Sequence, residues 1–369
     1  MKILVATIVD NINFGTYLQA YATSLLLKRR GAEVDILNYI RPYLDVSYYA
    51  KKMLADKSRP LPVRLIRSLS YLVLGKMEMA NVKRFLKGKA SLTKEIQSLD
   101  ELHEIAKDGY DLFLTGSDQV WNSQHNLGID PIFYFEGIDG KKVSLAASVG
   151  MDSFGKEEKD RIKCLLQDYD HISVRESYGK EAISKLGLEG VEIDQILDPT
   201  LLINKEEWAK VPKSNFKKTE DYLLVYSVEI GKDEMVLKLA REIAEKKNLK
   251  VYLVSATPKN KKYKNLADRS FTFTDVDTFL SLMAQADYVV CSSFHGTAFA
   301  INFNKDFVTV APERFNTRVN SILKLLNLQD RYIESKDDVP TSSIDYSKVN
   351  PILEAERKKS AEVIDKLLC

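Results

Sequence analysis

The chain has 369 residues, and its 54 basic and 52 acidic side chains leave a net charge of only +2. That length predicts two domains with separate cores, and the balanced charge argues against a nucleic-acid partner. A content of 45% hydrophobic and 29% charged residues excludes extensive disorder.

The opening "MKILVATIVD" lacks the charged, apolar and cleavage regions of a signal peptide, and no apolar run reaches membrane-spanning length. Cys164, Cys291 and Cys369 form neither a metal-ligand spacing nor a disulfide framework. A cytoplasmic location is expected, with peripheral membrane contact left open.

"KILVATIV" (2–9) reads as a buried strand, followed by the polar turn "DNINFG". In the next segment Leu18, Tyr21, Ala22, Leu25 and Leu26 recur at helical spacing, and Gly31 can end that helix. "EVDILNY" (33–39) is the second strand, so the chain opens with a βαβ unit and a parallel sheet.

Residues 51–89 break the rhythm, with eleven Lys or Arg against only Asp56 and Glu78 and an apolar run at 65–75. Such a stretch can lie on an anionic membrane surface or hold an anionic acceptor. The competing expectation is an inserted helical pair that packs its apolar side and solvates its lysines.

Strands are expected at 111–116, 142–148, 171–175 and 192–197, with helices at 156–169 and 177–187. A polar break near 204–220 precedes a second βαβ series. It comprises strands 221–228, 249–256, 287–293 and 307–311, and helices at 232–247, at 276–286 behind the cap Asp275, and from Gly296. The expected class is α/β, two Rossmann-like halves around a cleft.

Ligands in such folds bind beyond the carboxyl ends of parallel strands. After the first strand come Asp10, Asn11, Asn13 and Gly15, where glycine permits close backbone approach and helix amides favour anions. Gly116-Ser117-Asp118-Gln119-Val120-Trp121-Asn122 offers an acid, carboxamides and an indole, a set able to bond and stack on a sugar. Arg175 ends another strand and can grip a carboxylate or phosphate.

In Ser292-Ser293-Phe294-His295-Gly296 an imidazole meets a helix N-terminus. The helix dipole lowers its pKa there and welcomes an anion, to which it can donate or transfer a proton. Arg314 and Arg318 follow the next strand, while His103, His125 and His171 have no comparable setting.

"NINFGTYLQAYA", "GSDQVWN", "KVSLAASVG", "SVRES", "LDPTLL" with Trp208, "SSFHGTAFAINF" and "FNTRVNSILKLLNLQDR" follow in an order that resembles the polysaccharide pyruvyl transferase family. The resemblance implies a GT-B-like fold. It also implies transfer of an enolpyruvyl unit from phosphoenolpyruvate to two sugar hydroxyls, yielding a cyclic ketal and phosphate. His295 and Arg175 match the donor-holding residues of the family, with Ser293, Gly296, Arg318 and then Arg314 as further donor candidates. Asp118 is the candidate to orient or deprotonate an acceptor hydroxyl and Asp10 a weaker one. Asn11, Asn13, Gly15, Gln119, Trp121 and Asn122 are expected on the acceptor side.

The expected domains are an acceptor-side domain at 1–204 with a basic helical insertion at about 40–100, a donor-side domain at 205–345, and a helix at 346–369 packing back. No cofactor or metal is expected beyond phosphoenolpyruvate as co-substrate, and the acceptor would be a sugar or lipid-linked oligosaccharide. The rival readings are a GT-B glycosyltransferase using a nucleotide sugar and a non-catalytic carbohydrate-binding protein.

Overall fold

The computed structural model describes residues 1–227, 233–255, 265–311 and 317–369. The first half contains β1 (Lys2–Ala6), α1 (Phe14–Lys28), β2 (Glu33–Tyr39), α2 (Val46–Ala55), α3 (Leu61–Lys83), β3 (Ser91–Ile96), α4 (Leu99–Ala106) and β4 (Leu112–Thr115). It continues with β5 (Lys142–Ala147), α5 (Lys159–Gln167), β6 (His171–Val174), α6 (Ser177–Ser184), β7 (Glu192–Gln195), α7 (Pro199–Leu202) and α8 (Lys205–Lys210). The second half has β8 (Tyr222–Tyr226), α9 (Asp233–Lys247), β9 (Lys250–Val254), β10 (Arg269–Phe271), α10 (Val276–Gln285), β11 (Tyr288–Cys291) and α11 (Phe294–Asn302). It ends with β12 (Asp306–Val310), α12 (Thr317–Leu325), β13 (Tyr332–Ile333) and α13 (Tyr346–Leu368).

The strands form two sheets, in the orders β3-β2-β1-β4-β5-β6-β7 and β10-β9-β8-β11-β12-β13, with parallel pairing throughout. Within each sheet the first six strands follow the Rossmann order, so the direction in which strands are added reverses between β1 and β4 and again between β8 and β11. Those two switch points open a crevice at the carboxyl edge of each sheet, where ligands bind. β4, β5, β6, β8 and β11 are buried along their whole length, as strands covered by helices on both faces must be.

α1 departs from the one-sided helix its spacing predicts. Leu18, Ala22 and Leu26 are buried as expected, but so are Tyr17, Ala20 and Leu27 on other sides. The helix lies between the two sheets. Phe14 stacks on Tyr226 and Phe279 of the second half at 5.6 and 4.8 Å, so one apolar core runs across the domain boundary. The carboxyl edges of both sheets therefore meet at the N-terminus of α1.

The expected break at 204–220 begins with a short helix, α8, held by a capping box between Asn204 and Glu207. Its Trp208 is buried against Phe299. α13 ties back to the first half through Arg30–Asp365 and Lys366–Glu192 pairs and the Leu197 N–H bond to Ser360 Oγ.

The segment at about 40–100 is not wholly a helical insertion. Residues 91–96 form the edge strand β3, whose alternating pattern is too mixed in polarity to stand out, and α4 follows with its own capping box. The part that projects is the α2–α3 hairpin. Its inner face is closed by the Tyr49–Tyr71 ring contact, the Ser68 Oγ bond to the Ala50 carbonyl, and Gly75, where a Cβ would come within 2.7 Å of Val46. Its apolar outer face is left exposed, contrary to the expectation that the pair packs its apolar side.

Candidate active site

Five strand ends contribute to one buried cluster. The turn after β4 carries Ser117 and Asp118, β6 leads into Arg175 and Glu176, and β7 leads to Asp198, the N-cap of α7. β11 leads to His295 in the first turn of α11, and α12 brings Arg318 in its own first turn. The fifth strand end is that of β1, and the loop after it delivers Asn13, Gly15 and Thr16.

Arg175 is the hub. Its Nη1 donates to Asp198 Oδ2 at 2.8 Å and to Ser117 Oγ at 3.3 Å. Asp118 and Glu176 carboxylates stand 3.6 and 3.7 Å from the guanidinium, beyond hydrogen-bond range. Phe294 lies over it with 4.5 Å between ring centroid and Cζ. Burial opposes its charge, but Asp198, Asp118 and Glu176 outweigh that and raise its pKa.

Asp198 is held from both sides. Oδ1 accepts from the Thr200 N–H and hydroxyl at 2.9 and 2.6 Å, and Oδ2 also accepts from Ser117 Oγ at 2.8 Å. Burial resists ionisation, yet His295, Arg175 and the Thr200 bonds lower its pKa. His295 Nε2 lies 3.8 Å from Asp198 Oδ2, and the imidazole pKa is pushed down to about 4, chiefly by burial. At neutral pH the ring is uncharged.

Gly15 explains why the two halves can close here. A Cβ on Gly15 would fall 2.1 Å from the His295 ring, so only glycine lets α1 abut the imidazole. Asn13 caps α1 through the Gly15 N–H and accepts from the Tyr226 hydroxyl at 3.1 Å, a bond across the domain boundary.

Four nitrogens in this cluster have no hydrogen-bond partner among the described residues: Arg175 Nε and Nη2, Arg318 Nε, and His295 Nε2. Buried polar atoms are nearly always satisfied, and an orphan costs about 1–3 kcal/mol. Glu176 Oε2 is also unpaired, its Oε1 taking bonds from the Val149 and Gly150 amides at 2.7 and 2.8 Å. Arg318 is pushed down to about 10 by burial and by the Arg175 charge. Two cations in mutual repulsion with unused N–H groups form a socket for an anion.

Several sequence expectations need correction. Trp121 is 1% exposed, stacks on Tyr134 and donates to the Phe133 carbonyl, so its indole faces the core rather than a sugar. Asn122 and Gln119 are buried and bonded to each other. The Gly296 amide is taken by the Ser293 cap, which leaves only the Ser293 hydroxyl proton for a ligand. Asn11 bonds the Asn13 amide and shapes the loop. Asp10 is clasped by the Arg41 guanidinium and backbone amide, which removes it as a base. Arg314 lies outside the described residues.

Asp118 sits at φ 84°, in the left-handed region, and accepts from Thr16 Oγ1 and the Gln119 amide at 2.8 and 2.9 Å. A non-glycine residue held there costs roughly 1–3 kcal/mol, a strain that concentrates at functional sites. Burial opposes its charge, but Arg175, His295 and Arg318 hold the carboxyl well below the usual range. So weak a base suits orientation of a hydroxyl and not proton abstraction.

Sequence reasoning missed Ser117, Asp198, Glu176 and His125. The signals were an aspartate capping a helix after a strand in "LDPTLL" and a histidine three residues beyond "GSDQVWN". His125 is half-buried and pushed down to about 4 by burial and by Arg41. Away from the site, His171, Glu192 and Asp194 place ligand atoms within 4.8 Å of one another across β6 and β7. His171 begins β6, so that group belongs to the opposite sheet edge.

The family model for polysaccharide pyruvyl transferase matches residues 13–314. The chain belongs to that family. It is therefore a transferase with a pyruvyl-transfer role in polysaccharide synthesis. No curated protein sequence matches it.

Among solved structures, the UDP-GlcNAc 2-epimerase of Methanocaldococcus jannaschii is similar at TM-score 0.57 and 14% identity, over 100% of this chain and 98% of that one. The Neisseria meningitidis UDP-GlcNAc 2-epimerase, bound to UDP-GlcNAc, is similar at 0.53 and 12%, over 100% and 99%. An O-GlcNAc transferase mutant from Thermobaculum terrenum is similar at 0.46 and 12%; the match covers 99% of this chain but 64% of that one. At such identities the two epimerases bear on the fold alone. This pyruvyl transferase family member is GT-B-like, two Rossmann-like domains with parallel sheets.

Proposed function

We propose that the protein transfers an enolpyruvyl unit from phosphoenolpyruvate to two hydroxyls of one sugar, forming a cyclic pyruvate ketal. The observation that carries this reading is the set of unpaired nitrogens on Arg175, Arg318 and His295. Arg175 is anchored to Asp198 through one edge and keeps Nε and Nη2 free, the fork that suits a carboxylate or phosphate. Glu176, Asp118 and Asp198 hold the cation in place without filling that fork.

Phosphate binding beside His295 would raise its depressed pKa and make it a proton donor to the leaving phosphate. The enol methylene takes a proton and becomes a methyl, and the first sugar hydroxyl adds to the former enol carbon. The bond from that carbon to the phosphate oxygen then breaks, and the second hydroxyl closes the ketal. One hydroxyl proton balances the new methyl and the other leaves with phosphate or solvent. Asp118 orients a hydroxyl as an acceptor. The acceptor is a sugar or a lipid-linked oligosaccharide, and no other small-molecule cofactor is part of the proposal.

Calorimetric titration of phosphoenolpyruvate and of nucleotide sugars, into wild type and His295→Ala, tests the reading. Binding of phosphoenolpyruvate, weakened about tenfold or more in His295→Ala, is expected. Tight nucleotide-sugar binding with none to phosphoenolpyruvate would replace this reading with glycosyl transfer.

A further inference from the structure

The α2–α3 hairpin carries an apolar stripe that the protein itself does not cover. Ile66, Leu69, Val73 and Met77 are spaced three, four and four residues apart, which sets them on one face of α3. They are 67, 63, 49 and 59% exposed. The opposite face, with Ser68, Tyr71 and Gly75, is the one that packs on α2. An uncovered run of this length marks a surface with a partner.

Charge selects the partner. Lys51, Lys52, Lys57, Arg59, Arg67 and Lys76 are exposed on the same hairpin, while its acids are Asp56, 3.8 Å from Arg59, and the buried Glu78. A second copy docked on this face would set like charges against each other. An anionic lipid surface satisfies both features, taking the apolar stripe into its interface and the lysines at its headgroups. No helix among the described residues is long and apolar enough to cross a membrane, so the hairpin would lie on the surface.

The root of the hairpin adds position to chemistry. The chain enters it just after Arg41, whose side chain holds Asp10 in the loop after β1. It leaves past Met79, whose sulfur touches the Tyr17 hydroxyl of α1 at 3.2 Å. The hairpin therefore springs from the carboxyl edge of the first sheet, beside the site.

We propose that the α2–α3 hairpin docks the protein on an anionic phospholipid surface, with Ile66, Leu69, Val73 and Met77 inserted and the flanking lysines and arginines on the headgroups. The proposal stands independently of the reaction catalysed. The test is co-sedimentation of the full chain with vesicles of phosphatidylcholine alone or with about 30% phosphatidylglycerol. Wild type is expected to pellet with the anionic vesicles only. Leu69→Glu and the double change Lys51→Glu/Lys52→Glu are each expected to lower the partition about tenfold.

All three positions are exposed, and an unchanged melting temperature for each variant separates lost docking from lost folding. Failure of wild type to pellet would overturn the proposal, as would equal pelleting on both vesicles. So would pelleting that neither variant alters. Analytical centrifugation covers the other occupant: a dimer that Leu69→Glu dissociates, without vesicle binding, would assign the face to a second copy.

Discussion

Two buried arginines of this chain meet carboxylates in opposite ways. Arg41 spends its Nε, Nη1 and Nη2 groups on Asp10 and Asn126, and its own amide also bonds Asp10. Arg175 faces three carboxylates, yet bonds only one of them and keeps two nitrogens unpaired. A buried ion pair with every guanidinium nitrogen engaged holds a loop in position. One that leaves nitrogens unengaged carries a cost in stability, and the proposed function assigns those nitrogens to the donor. Both lie just beyond strands of the same sheet, so the difference rests on their hydrogen bonds and not on their position.

Lysine at each position breaks that comparison most sharply. Arg175→Lys retains a charge able to pair with Asp198 but loses the free fork. We expect phosphoenolpyruvate affinity to fall about a hundredfold or more, with a smaller loss of stability. Arg41→Lys should do the reverse: a stability loss approaching the roughly 3–5 kcal/mol of a broken buried pair, with binding by the folded protein nearly unchanged. Urea unfolding and calorimetry on the two variants measure both quantities. If both lose stability and binding alike, the distinction between holding and receiving fails.

The neutral imidazole of His295 supplies the next test. Its pKa of about 4 lies below the ordinary 6.5, so the unfolded chain binds more protons between those values. Stability from this group is full above pH 6.5 and is lost as pH falls toward 4, by on the order of 3 kcal/mol. Half-buried His125 shifts in the same direction, so His295→Gln should flatten the acid slope only in part. An unchanged slope in that variant would mean that the folded protein does not depress the ring's pKa.

Gly15→Ala probes how tightly the halves meet. The added methyl would overlap the His295 ring, so either α1 or α11 must shift. A stability loss of about 1–3 kcal/mol is expected, together with weaker phosphoenolpyruvate binding by about tenfold as the imidazole is displaced. Lost stability with intact binding would show that the ring position is immaterial to the donor.

Much of the fold was legible because its strands are short apolar runs between glycines and polar turns. β2 matches its expected span to the residue, and Asp275 caps α10 through the Thr278 amide. The edge strands β3, β10 and β13 were not legible: each is short or polar on the side facing water, so apolar periodicity does not reveal it. At the site, strand-end position singled out Asp118, Arg175, His295 and Arg318. It did not find Asp198, whose importance depends on β7 lying next to β6, a pairing with no local mark in the sequence. It also assigned Trp121 to a ligand because an indole in a polar turn looks available until the surrounding Tyr134, Phe133 and Tyr169 are in place.

Trp121 offers the smallest catalytic effect and the cleanest contrast with the arginines. Its ring is enclosed by Tyr134 and Tyr169, and its N–H is spent on the Phe133 carbonyl, so nothing on it remains for a sugar. Trp121→Phe removes that bond and leaves a small cavity, for an expected loss of about 1–3 kcal/mol. The acceptor KM should stay within about twofold of wild type, because a buried ring that shapes the core contributes to folding and not to recognition. A KM raised about tenfold at unchanged melting temperature would restore the indole as a sugar platform and require the "GSDQVWN" turn to open when the acceptor binds.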